Sequence, residues 1–143
     1  GDASGIYIAG ELGLLLRLDP LTQRFVALDS PYQGSFFGVM VAGDHVITYG
    51  LRGNAYVSED GARTWKKLHN PSDDSLTSGV WLSNGDALLL SQGGELLRSM
   101  TTSTDLEKLE TGRGFPANSV VVTERKGVLA IAGPLGVKQL QFN

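Results

Sequence analysis

Residues 45–68 read HVITYGLRGNAYVSEDGARTWKKL, and this stretch holds most of one structural unit. Two short apolar runs, HVITYG (45–50) and NAYVS (54–58), are separated by LRG, and RTWKKL (63–68) follows the turn EDGA. Short runs rich in Val, Ile and aromatic residues, punctuated by Gly, Asp and Asn, read as β-strands. Connections this brief make antiparallel hairpins of them. With FFGVMVAG (36–43) in front, the unit has four strands.

The unit recurs along the chain. Gly10, Gly50 and Gly133 close the apolar runs IYIAG, VITYG and AIAG, and Ser91 closes ALLLS. Gly13, Gly53, Gly94 and Gly136 follow, each three residues later. The four starts, at 10, 50, 91 and 133, are 40, 41 and 42 residues apart. Fifteen and eighteen residues beyond the first three starts lie Phe25 and Leu28, Trp65 and Leu68, and Leu106 and Leu109. Four short antiparallel strands per period of this length describe a β-propeller blade. Helix-pair solenoids share the period but need apolar residues at helical spacing over a dozen positions, which this chain lacks. STDLEKLE (103–110) has a helix-like capping pair, Thr104 and Glu107, yet its register with SEDGARTWKKL reads as a turn and an outer strand.

The expected fold class is all-β: a β-propeller fragment of about three and a half four-stranded antiparallel blades. Residues 1–143 form a single partial β-propeller domain, with repeat units starting near 6, 46, 87 and 128. The chain enters on three strands at 6–28, passes two whole blades at 36–69 and 77–109, and leaves on three strands at 118–142. Such a chain leaves blade faces and sheet edges open. Either it is a fragment, with GVKQLQFN (136–143) reading as a natural last strand of a C-terminal half, or copies associate to complete the ring.

Composition narrows the function classes. The chain has 143 residues, 41% apolar, with a net charge of −3 and no block of Lys or Arg, which argues against nucleic acid and anionic membrane surfaces as partners. Its longest apolar stretches are too short to cross a bilayer. Zero cysteines exclude disulfides and thiolate metal sites and leave the redox compartment open.

The octapeptide SEDGARTW (58–65) looks at first like an active site. Physical chemistry favours a turn. Asp60 can accept main-chain N–H groups, Gly61 can take the positive φ of a tight hairpin, and Ser58 and Thr64 can satisfy neighbouring backbone groups. Trp65 can pack on the adjoining blade with its indole N–H near an acceptor. A metal would want more carboxylates, and a nucleophilic serine would want a histidine.

The pattern S-x-D-G-x-x-T-W resembles the Asp box of the BNR repeat, and Ser58, Asp60, Gly61, Thr64 and Trp65 are its structural residues. Worn copies stand at LDPLTQRF (18–25) and SMTTSTDL (99–106). The longer pattern G-x-x-G-x-x-Y-x-S-x-D-G-x-x-T-W (50–65) most resembles the photosystem II assembly factor family, called Ycf48-like. That resemblance implies a seven-bladed ring, of which this chain is roughly half, with the boxes on a rim away from ligand sites. It also implies a non-enzymatic protein-binding or assembly role and a periplasmic or other extracytoplasmic location, lumenal in photosynthetic relatives. The partner there is a reaction-centre subunit.

No catalytic set is legible. Sialidases also carry Asp boxes, but the arginines here (17, 24, 52, 63, 98, 113, 125) are scattered, the F/Y-R-I-P motif is missing, and Arg17 and Arg98 read as a solvated strand face. A fragment of a sialidase-like or other propeller glycoside hydrolase, with its chemistry on missing blades, is the alternative reading. His45 and His69 fall at turns without metal-ligand spacing, and Asp73 and Asp74 read as a polar interblade loop. No cofactor or metal is expected. The candidate partner-binding residues are Arg52, Arg113, Phe115 and Tyr32, basic or aromatic side chains at loops of one rim.

Overall fold

The structure is a computed structural model, and it describes residues 5–111 and 115–142. Arg113 therefore lies outside the described residues. Fourteen strands are found among the described residues, in four antiparallel sheets. The first sheet holds β1 (Tyr7–Ala9), β2 (Leu15–Asp19) and β3 (Arg24–Ala27). The second holds β4 (Phe36–Ala42), β5 (His45–Gly50), β6 (Ala55–Ser58) and β7 (Lys66–Leu68). The third holds β8 (Leu76–Trp81), β9 (Ala87–Ser91), β10 (Leu96–Ser99) and β11 (Leu106–Leu109). The fourth holds β12 (Ser119–Val122), β13 (Val128–Gly133) and β14 (Gly136–Gln141).

Each sheet is a meander whose strands pair in chain order. Successive sheets meet along β1, β4, β8 and β12, so these strands line a common inner side, as in propeller blades. Blades 2 and 3 have four strands. Blade 1 lacks the innermost strand of that pattern, and blade 4 lacks the outermost, among the described residues. The segment 103–110 is turn and strand, not helix.

The buried sequence runs explain how the blades stack. In an interior blade the second strand is covered on both faces, so its residues are apolar without alternation. Val46, Ile47 and Tyr49 in β5 are buried, as are all four of Ala87–Leu90 in β9. One face of each blade meets the preceding blade and the other the following one. Leu88, Leu90 and Leu96 on blade 3 pack with Val120, Leu129, Ile131 and Leu140 on blade 4. Ile47, Tyr49, Ala55 and Leu68 on blade 2 pack with Leu76, Leu89, Leu97 and Leu106 on blade 3. Leu15, with Ala9 and Leu28, packs with Phe36, Tyr56 and Trp65 across the junction of blades 1 and 2.

Two local departures from a regular ladder occur at equivalent places. The inner strands β4 and β8 shift register between Phe36 and Gly38 and between Leu76 and Ser78. β7 is also shorter than the run RTWKKL expects, starting at Lys66, because the main chain of residues 62–64 is tied into the preceding turn.

Candidate functional site

The strand order puts two kinds of turn on opposite rims. Turns between first and second strands share a rim with those between third and fourth strands, and the Gly61 N–H donates to the Asp44 carbonyl there. Turns between second and third strands share the other rim with the interblade linkers, where Leu51 N–H donates to Ser35 and Gln92 N–H to Ser75.

The octapeptide lies on the first rim. Asp60 Oδ1 accepts the N–H groups of Arg63 and Thr64 at 3.0 and 2.9 Å. Its Oδ2 accepts the Thr64 hydroxyl at 2.6 Å. Ser58 donates its hydroxyl to Asp60 Oδ1 at 2.7 Å and accepts the Ala62 N–H at 2.8 Å. Gly61 has φ +71°, which its missing Cβ permits without strain. The Thr64 hydroxyl, then the Thr64 N–H and the Ser58 hydroxyl, hold the Asp60 carboxyl well below the usual carboxylate range. Trp65 donates its indole N–H to the Asp29 carbonyl at 3.2 Å, reaching from blade 2 to the chain leaving blade 1. With both Asp60 oxygens committed to the turn, the constellation has the chemistry of a clasp. The worn copy at Asp19 retains part of it: Oδ1 accepts the Leu21 N–H at 2.8 Å.

Between blades 2 and 3 the other rim opens into a cleft of about 680 Å³. Arg52, Lys67, His69, Asn70, Glu95 and Lys108 are among its lining residues. Arg52 sits at φ +55° in the turn after β5, and its main-chain N–H donates to Ser75 Oγ at 3.2 Å. The guanidinium is exposed and has no ion-pair partner among the described residues, and the Lys67 ammonium is likewise unpaired. Lys108 is bound to Glu95 at 2.5 Å, which raises the lysine pKa and lowers that of the glutamate. Asp73 also lines the cleft and has no ion-pair partner among the described residues, so the free charges are two cations against one carboxylate, a small positive excess.

The other candidate residues fall nearby but are held differently. Tyr32 is packed inward, stacked on Tyr56 at 6.0 Å and edge-on to Phe36 at 5.8 Å. Its hydroxyl accepts the side-chain amide of Asn54, a cleft-lining residue, at 3.4 Å. Phe115 is half-buried against the core between blades 3 and 4, with Lys138 Nζ 5.9 Å from its ring centroid. Gly94 is required there, because a Cβ would collide with the Phe115 carbonyl. Lys67 and Lys108, which sequence reading did not single out, and His69, which it read only as a turn residue, join Arg52 only because β7, the following linker and β11 converge.

The octapeptide rim has its own recess of about 320 Å³, lined by His45, Ile47, Glu59, Lys66, Trp81 and Thr101 among others. Lys66 pairs with Glu59 at 2.8 Å, and the buried Trp81 indole N–H has no acceptor among the described residues. No group of three or more His, Cys, Asp or Glu residues is placed to hold a metal ion among the described residues. Arg98 is no solvated strand residue, contrary to the sequence expectation: its Nε lies 2.9 Å from Oδ2 of the buried Asp86. Burial pushes the Asp86 pKa up, but hydrogen bonds from Arg98 and Asn84 outweigh it and leave the carboxyl below its ordinary value.

No family model and no curated protein matches the sequence. Solved structures do match. The computationally designed Ika4 protein superposes with a TM-score of 0.78 at 13% identity, over 100% of this chain and 88% of that one. YCF48 bound to D1 peptide matches with a TM-score of 0.62 at 16% identity, over 99% of this chain and 50% of that one. U3-55K matches with a TM-score of 0.75 at 12% identity, over 98% of this chain and 47% of that one.

The fold is that of a β-propeller.

This propeller chain spans about half the length of YCF48 and of U3-55K. At such identities the likeness concerns the fold, and any function has to be argued from the site.

Proposed function

We propose that this propeller segment is a non-enzymatic protein-binding module, an assembly-factor or scaffold of the Ycf48-like type, and that SEDGARTW is a BNR Asp box with a purely structural role. The observation that carries the reading is the cleft between blades 2 and 3, where Arg52 and Lys67 stand exposed and unpaired beside His69. Free cations on a rim opposite the turn-closing octapeptide suit an acidic, extended segment of a protein partner. A protein with this fold, YCF48, has been solved bound to D1 peptide, which supports peptide binding by a propeller of this kind. An extracytoplasmic location belongs to the same reading and rests on the sequence resemblance.

Fluorescence anisotropy with labelled acidic and basic peptides of equal length tests it. The parent should prefer the acidic peptide, and the double variant Arg52→Glu with Lys67→Glu should lose about tenfold or more in affinity. Equal binding of both peptides, or unchanged affinity in the variant, would remove the cleft from the reading.

A further inference from the structure

The recess on the octapeptide rim opens where one cross-strand pair of the repeat has changed. By offset within the repeat, β1 and β2 correspond to β5 and β6 and to β9 and β10. These strands set two side chains opposite each other on the face toward the following blade. The pair is Tyr7 and Arg17 in blade 1, Ile47 and Val57 in blade 2, and Leu88 and Arg98 in blade 3. Contacts fix its direction: Tyr7 reaches Gly61 of blade 2, and Ile47 shares a core cluster with Leu89 and Leu97 of blade 3.

At the junction of blades 1 and 2 this pair packs against the octapeptide. The Tyr7 hydroxyl donates to the Gly61 carbonyl at 3.5 Å, and Arg17 lies over the Tyr7 ring with Cζ 5.8 Å from its centroid. At the junction of blades 2 and 3 the octapeptide is replaced by its worn copy SMTTSTDL (99–106), and the pair facing it is Ile47 and Val57. Neither side chain reaches as far as tyrosine or arginine. Both blades here have all four strands, and the recess of about 320 Å³ lies between them, within the range of about 300 to 1,000 Å³ usual for small-molecule pockets. Its lining is mixed: Ile47, Val57, Trp81 and Met100 are apolar, and the run from Thr101 to Thr104 brings hydroxyls. Thr102 stands in the place of Gly61, and its carbonyl accepts no main-chain hydrogen bond among the described residues. Lys66 and Glu59, which also line the recess, neutralise each other.

We propose that this recess binds a phenolic ring, seated on Ile47 and Val57 with its hydroxyl directed to the main chain of Thr102, as Tyr7 meets Gly61 one junction earlier. The ring finds aromatic and thioether surface in Trp81 and Met100. Its hydroxyl finds acceptors and donors in the run from Thr101 to Thr104. A neutral ligand suits the site, because the lysine and glutamate in its wall are spent on each other. The site lies on the rim opposite the cationic cleft and does not rest on the reading of that cleft. A free phenol and the tyrosine side chain of a peptide share this chemistry, and two probes distinguish them.

Amide NMR of the parent chain titrated with p-cresol tests the proposal. Saturable shifts should centre on residues 101–104 and on the Trp81 indole, with a Kd of about 1 mM, as befits so small a ligand. Toluene, which lacks the hydroxyl, should bind at least about threefold more weakly. Val57→Arg copies the long side chain of blade 1 at a half-buried position, and Thr101→Trp adds bulk at an exposed one. Each should keep the parent circular dichroism and weaken p-cresol binding about tenfold or more. The peptide Gly-Gly-Tyr-Gly-Gly assigns the site to a tyrosine-bearing partner if it binds more tightly than p-cresol, and to a free phenol if it binds more weakly. The proposal is overturned by the absence of saturable shifts up to about 20 mM p-cresol, or by toluene binding as well as p-cresol. Shifts confined to the cleft around Arg52, or an affinity that both variants leave unchanged, would overturn it too.

Discussion

Blades 2 and 3 and blades 1 and 4 are built from the same repeat, yet they differ in what each residue of the repeat does. In the interior pair the second strand is sealed on both faces, and its apolar residues contribute burial energy in full. In the end pair, residues at equivalent places in the sheet reach solvent: Phe25 stands where blade 2 has Trp65, and Val137 pairs with Ala132 as Leu96 does with Leu90. The repeat thus encodes an interface twice over, and a blade's sequence acquires its stability from its neighbours.

The comparison is broken most forcefully by cutting equivalent side chains in the two settings. Leu89→Ala removes a fully buried leucine from the junction of blades 2 and 3 and should cost about 2–5 kcal/mol in urea unfolding. Ile8→Ala, at the equivalent offset but exposed, should cost less than about 1 kcal/mol. Equal losses would mean that the end face is covered in solution.

Next comes the polar link inside blade 3. Arg98→Met strands the buried Asp86 carboxylate without its main donor, and the expected loss is about 1–3 kcal/mol. An Asp86→Asn change in the same protein should recover part of it. An undiminished midpoint in the single variant would show that Asp86 is satisfied by solvent.

A smaller effect is expected at the rim. Asp60→Ala should lower the melting temperature at neutral pH and leave peptide binding by the folded protein intact. Because the folded-state pKa of Asp60 is depressed below its ordinary 3.8, its stabilisation is present above that value and is lost as the pH falls through the folded pKa. The variant should therefore lose less stability than the parent when melts are carried below about pH 4. Parallel acid limbs for the two proteins would show that Asp60 contributes nothing through its charge. The smallest effect is that of Arg52→Glu on stability, within about 0.5 kcal/mol, since its side chain has no partner to lose.

Much of this architecture was legible in the chain because it is local. The period, the hairpins around residues 45–58 and the turn chemistry of Asp60 depend on neighbours a few residues apart, and HVITYG (45–50) matches β5 residue for residue. What escaped depends on convergence at long range. The inner-strand register shifts, the inward stacking of Tyr32 on Tyr56, and the Arg98 pairing with Asp86 are set by tertiary packing. The cleft suffered most, since Lys67, His69 and Lys108 come from separate strands and linkers and no spacing announces them. RTWKKL was overextended as a strand because the Asp60 hydrogen bonds compete with ladder pairing for residues 63 and 64.

Hydrogen exchange by mass spectrometry on the parent chain tests the central claim, that interior blades are sealed on two faces and end blades on one. The slowest amides should lie in β5 and β9, with faster exchange throughout β1, β3 and β14. Protection of the end strands equal to that of β9, in a chain shown to be monomeric, would contradict it.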